Sequence, residues 1–153
     1  MSITLAVDVM GGDFGASVTV PAALKIAAIA PDVSFLLVGD EAAILPFLEK
    51  TPDALRKRMS IVHTSEFVTM DDKVSVALRQ KKRSSMRLAA EAVRDGHAQA
   101  CISAGNTGAL MAVSRFVLKT HPAIGRPAIM TALPTQRGHV HMLDLGANID
   151  SEP

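Results

Sequence analysis

A chain of 153 residues is one domain's worth, long enough to bury about 70% of its unfolded surface. With 48% hydrophobic and 20% charged residues it excludes wholesale disorder. A net charge of +1, 3% aromatics and the lack of Trp and Tyr argue against a nucleic-acid binder.

Thr4–Val7 reads as a short buried strand that ends in Asp8 and a glycine-rich turn, Met10–Gly11–Gly12–Asp13–Phe14–Gly15. Ala16–Ala30 is apolar and long enough for a helix, with Pro21 expected in or near its first turn. Val33–Val38 is a second strand, closed by Gly39. Asp40 then caps a helix to about Lys50, which Pro46 kinks or shortens. Ser60–His63 is a third strand. Val74, Ala77 and Leu78 share one helical face, and Met86, Ala89, Ala90 and Val93 share another, with Gly96 as a C-terminal cap. Ala98–Ser103 is a further strand, followed by Gly105–Asn106–Thr107–Gly108 and a helix to about Thr120. Pro122 and Pro127 bracket a loop, and Ala128–Leu133 and Val140–Leu143 read as strands. This alternation predicts a single α/β domain over 1–153, with three αβα layers around a mostly parallel sheet. The pattern calls for another helix beyond Pro153.

One cysteine, Cys101, excludes an internal disulfide or a multi-cysteine zinc site. Its apolar strand favours an inert core thiol over a nucleophile. His139 and His141 alternate along a strand without a nearby third ligand, so no metal is expected. No apolar run reaches the roughly 18 residues of a membrane span. Met1–Ser2–Ile3 opens no signal peptide, and a cytoplasmic location is expected.

Three strand-to-loop junctions share one design, an apolar strand followed by glycines mixed with Asp or Asn. They are Asp8–Asp13, Ser103–Gly108 and Asp144–Leu145–Gly146–Ala147–Asn148. In a parallel sheet all three lie at the carboxyl edge, where open α/β folds bind ligands. Glycine lets backbone N–H groups approach an anion, and the next helix adds the positive end of its dipole. Any one junction alone is better read as a tight turn; three on one edge favour a site. Neither G-x-x-x-x-G-K-[ST] nor G-x-G-x-x-G occurs, and no nucleophile elbow is visible. Arg79, Lys81, Lys82, Arg83 and Arg87 place five cations within nine residues, followed or interleaved by Ser84 and Ser85. This is either a landing strip for phosphate or an acidic partner, or a solvated helix end.

Four motifs occur in one order: Asp8-x-Met10–Gly11–Gly12–Asp13, Lys82-x-Ser84–Ser85–Met86, Ser103–Ala104–Gly105–Asn106–Thr107–Gly108–Ala109, and Leu143–Asp144–Leu145–Gly146–Ala147–Asn148. In these the chain resembles the bacterial phosphate acyltransferases of phospholipid synthesis, over essentially all its length. The resemblance implies acyl transfer from acyl-acyl carrier protein to inorganic phosphate, giving acyl-phosphate, with no cofactor. It implies a fold similar to isopropylmalate dehydrogenases and phosphotransacetylases. It further implies a cytoplasmic homodimer, peripherally associated with membrane, whose product feeds a membrane glycerol-phosphate acyltransferase. Family chains continue for about as many residues again, so this chain corresponds to their amino-terminal portion.

The expected roles follow from the chemistry. Phosphate is itself a nucleophile, so the protein must hold it against a thioester carbonyl and stabilise the oxyanion. Gly105, Asn106, Thr107 and Gly108 are expected to hold phosphate, with Ser103 and Gly146 beside them and N–H groups from Gly11 and Gly12. Lys82, Ser84 and Ser85 neutralise phosphate charge or steer the carrier, and Asp8, Asp13, Asp144 and Asn148 orient donors or phosphate protons. Asn106, Asp144, Asn148 and Asp8 are the catalytic candidates. The alternative is a non-catalytic anion-binding module of the same fold. An oxidoreductase of the related dehydrogenase fold ranks last, for want of metal-binding carboxylates.

Overall fold

Residues 3–125 and 127–143 are described by the computed structural model. Four strands, β1 (Ile3–Asp8), β2 (Val33–Gly39), β3 (Met59–His63) and β4 (Ala100–Ser103), form a parallel sheet in the order β3-β2-β1-β4. Between them run α1 (Ala16–Ile29), α2 (Glu41–Leu48), α3 (Asp53–Arg56), α4 (Val74–Arg79) and α5 (Ser85–Arg94), and α6 (Thr107–Leu118) follows β4. Side chains alternate across the sheet with period two, as parallel strands buried on both faces require. Val7, Val9, Phe35, Leu37 and Met59 pack against α1 and α2, whereas Ala6, Val38 and half-buried Leu36, Val62 and Cys101 face α5. Helix α6 packs with α4 and α5 through Ala77, Met86, Ala90, Ala109, Val113 and Val117.

The local chemistry accounts for most element ends. Asp40 accepts the Ala42 N–H at 3.1 Å and caps α2. Gly96, at φ +78, ends α5, with its N–H on Val93 O and the His97 N–H on Ala92 O, the paired bonds of a Schellman turn. Pro21 lies one turn deeper in α1 than its chemistry prefers. Ser17, whose carbonyl loses a partner there, is an exposed residue. Beyond Pro46 the chain breaks into α2 and the single turn α3. The Arg58 guanidinium then binds the carbonyls of Ala27, Ala30, Pro31 and Val33, fastening the carboxyl end of α1.

The chain divides into two compact units, Met1–Leu118 and Lys119–Pro153. In the second, β5 (Met130–Thr135) and β6 (Gly138–Leu143) are consecutive and antiparallel, with Thr135 opposite Gly138 across the two-residue turn at Gln136 and Arg137. The alternation expected from the sequence therefore stops at α6. A two-residue link permits a hairpin, whereas a parallel pair needs a crossover. Among the described residues no helix is long and apolar enough to cross a membrane.

Candidate functional site

Strand order reverses beside β1. The chain leaves β1 into a helix on one face of the sheet, and leaves β4 into α6, which packs with α5 on the opposite face. Such a reversal opens a crevice beyond the carboxyl ends of the two strands. Asp8 and Ser103 are the last residues of β1 and β4 and pair directly in register. Their side chains join: the Ser103 hydroxyl donates to Asp8 Oδ2 at 2.6 Å and accepts the Gly105 N–H at 3.1 Å. One short bridge thus sets the spacing between the first and second glycine loops.

Those loops touch because they lack side chains. A β-carbon on Gly11 would sit 2.6 Å from Asp8 Oδ2 and 3.0 Å from both Gly105 N and Ser103 Oγ. On Gly105 it would meet Met86 Cε at 3.1 Å. Gly12, at φ +86, turns the first loop within 3.2 Å of Ala104 O by the same measure. Asp13 is exposed.

Helix α5 points its amino end at this corner. Ser84 occupies the cap position but its hydroxyl makes no capping bond. Leu88 N–H to Ser84 O is the first bond of the helix, so the Met86 and Arg87 N–H groups precede it. The segment is braced from outside: the Thr64 hydroxyl donates to Arg83 O, the Arg83 N–H to Glu66 Oε2, and the Ser85 N–H to Glu66 O. Ser84 and Ser85 are fully buried, and their hydroxyls and Asp8 Oδ1 have no hydrogen-bond partner. Orphaned buried groups of this kind are uncommon and concentrate at functional sites.

Asp8 is 2% exposed. Burial pushes its carboxyl above the ordinary aspartate range, although the Ser103 hydroxyl and the N–H groups of Gly11 and Met10 favour the ionised form. Burial likewise raises the half-buried Cys101 thiol, and the Asp8 charge adds to the effect.

Asn106 has a different setting. Its Oδ1 accepts the Ala109 N–H at 3.0 Å, capping α6, and its Nδ2 donates to Met70 O and Asp72 O at 2.9 and 3.1 Å. Both amide hydrogens are therefore engaged by the 70–72 loop. Gly108 lies beside Val74, whose Cγ2 is 3.3 Å from where a β-carbon would stand; Thr107 and Lys82 are exposed. The structure thus brings Asp8, Gly11, Gly12, Ser85, Ser103 and Gly105 to one corner and sets Asn106, Thr107 and Gly108 along its rim. Asp144, Gly146 and Asn148 lie outside the described residues. Glu66 and Thr64, which hold the 83–85 turn, carry no motif in the sequence and were legible only as polar residues after a strand.

The chain matches a family described as "Fatty acid synthesis protein" over residues 3–153. It is similar to a protein named "Phosphate acyltransferase" from Paraburkholderia xenovorans (strain LB400), 58% identical over 153 residues, covering 100% of this chain and 42% of the relative. A second protein of that name, from Janthinobacterium sp. (strain Marseille), is 54% identical over 154 residues, covering 100% of this chain and 43% of the relative. The chain spans less than half the length of these relatives.

Proposed function

Because the chain belongs to the fatty acid synthesis protein family, we propose that it supplies the phosphate-holding corner of an acyl-acyl carrier protein:phosphate acyltransferase. The observation that carries this reading is the β1/β4 reversal, where Asp8, Gly11, Ser103 and Gly105 converge beside the uncapped end of α5. A phosphate oxygen attacks the thioester carbonyl, the new C–O bond forms, the C–S bond breaks, and the carrier leaves as thiolate to take up a proton. No side-chain nucleophile is needed. The first-turn N–H groups of α5 and the Gly11, Gly12 and Gly105 backbone favour the anion. The raised proton affinity of buried Asp8 lessens its repulsion of the dianion. Ser84, Ser85, Thr107 and Gly108 complete the phosphate wall, Lys82 supplies positive charge, and Asn106 holds the rim. Asp13 orients the first loop, and the roles of Asp144, Gly146 and Asn148 rest on the motif resemblance alone.

The reading includes the homodimer, the cytoplasmic location with peripheral membrane contact, and delivery of product to a membrane glycerol-phosphate acyltransferase. These rest on the motif resemblance. A second reading draws on the 42% coverage of the relative: a module that binds phosphate without turnover. Acyl-phosphate formation from acyl-acyl carrier protein and phosphate separates them, with the Paraburkholderia relative assayed in parallel. Turnover by the chain establishes the enzyme, and phosphate binding without turnover establishes the module. Folded chain that does neither refutes the proposal.

A further inference from the structure

The segment 66–87 carries six cations, Lys73, Arg79, Lys81, Lys82, Arg83 and Arg87, against three acids. It is therefore +3 in a chain of net charge +1, and the rest of the protein is −2. Two of the cations are committed. Lys81 binds the Asp72 carboxylate and Phe67 O, and Arg87 pairs with Glu91 and lies over the Phe116 ring. Lys73, Arg79, Lys82 and Arg83 have no side-chain partner among the described residues and are exposed. The same segment shows three large apolar side chains to solvent, Phe67 at 39%, Met70 at 48% and Val74 at 38%. Two of these are anchored to the glycine rim, Met70 through its carbonyl on Asn106 and Val74 against Gly108.

A solvated helix end accounts for the cations but not for apolar residues placed between them and the loop. An apolar centre with a mostly positive rim, here with Asp71 as an exposed exception, is the anatomy of a protein docking surface. We infer that the face formed by Phe67, Met70, Val74, Arg79, Lys82 and Arg83 docks an acidic carrier protein, whose flexible thioester arm enters along the 105–108 loop. The inference rests on the acyl-transfer reading above, and names the side from which its acyl donor arrives. The unpaired cations steer the acidic partner, and the apolar residues hold it once the charges have brought it in.

The test is binding of acyl carrier protein to the chain at low and moderate salt, using R79E/R83E and a remote charge-reversal control, K25E/K57E, each checked for native circular dichroism. Equilibrium dialysis of inorganic phosphate, run on the same samples, reports on the functional reading alone. The expected result is a roughly 10- to 100-fold loss of carrier affinity at low salt for the first variant, shrinking as salt rises. The control should lose little, and phosphate binding should persist in both. Equal losses in the two variants, or no loss in the first, would overturn the docking face while leaving phosphate binding intact. Wild-type chain that ignores the carrier but binds phosphatidylglycerol vesicles would overturn it too. Absent phosphate binding would instead count against the functional reading.

Discussion

Replacing Gly11 with Ala probes the contact that brings the two glycine loops together. The new β-carbon would stand 2.6 Å from Asp8 Oδ2 and 3.0 Å from the backbone nitrogen of Gly105. Neither neighbour is the free end of a flexible chain, since Asp8 is buried and held by Ser103. The strain can be carried, at about 1–3 kcal/mol for overpacking. It can instead be relieved by turning the carboxylate away from Ser103, at about 1.5–3 kcal/mol for a hydrogen bond to a charged group. The cheaper route sets the cost, and the stiffer unfolded chain returns about 0.4–1 kcal/mol. A net loss of about 1–2 kcal/mol is expected from urea unfolding followed by circular dichroism, with an unchanged slope. Gly96→Ala is the contrast: nothing lies within 4 Å of its β-carbon, and its φ of +78 alone makes it unfavourable, by about 1–2 kcal/mol. In an Asp8→Ala background the Gly11→Ala cost should fall by half or more, while the Gly96→Ala cost should stay the same. Gly11→Ala within about 0.5 kcal/mol of wild type, or a cost indifferent to Asp8, would refute the packing described at this corner.

The raised Asp8 affinity for protons has a signed consequence. The folded state holds this proton more tightly than the unfolded chain, so its contribution is full below the unfolded pKa and is lost as pH rises through the folded one. Urea midpoints across that range should fall for wild type and flatten for Asp8→Asn; parallel curves would contradict the assignment. Asn106→Asp keeps the acceptor that caps α6 but loses both donors to the 70–72 loop. It should retain most of the roughly 1 kcal/mol a cap contributes while weakening the phosphate dependence of acyl transfer, and unchanged phosphate dependence would remove Asn106 from the site.

Much of this corner is readable from residue order. The apolar run before Asp8 and the one before Ser103 each end in glycine, and hydrophobic period placed Met86, Ala89 and Ala90 on one buried face of α5. Periodicity reports which side of an element faces a core, and here the cores obey it. Partners far apart in sequence are another matter. Nothing in the motif Ser103–Gly108 says that Asn106 would spend its amide on Met70 and Asp72, because that choice depends on where a loop 34 residues or more away returns. The Arg58 clamp on α1 was hidden for the same reason. The two strands after α6 were legible as strands, but strand-like composition carries no direction, and only the two-residue turn at Gln136 and Arg137 makes β5 and β6 an antiparallel hairpin.

The bridge between Asp8 and Ser103 joins residues 95 positions apart, and that separation governs when the corner can come into being. Strands β1 and β2 can pair as soon as residues near 38 leave the ribosome, whereas the other edge of β1 waits for Ala100–Ser103. At roughly 5–20 residues per second, translation leaves that edge without its partner strand for about 5–20 s. An apolar strand with one bare edge is a template for the wrong partner during this interval. Substitutions that weaken β1–β4 pairing should therefore lower the yield of folded chain in growing cells before they alter any chemistry, and slower growth temperatures should recover it.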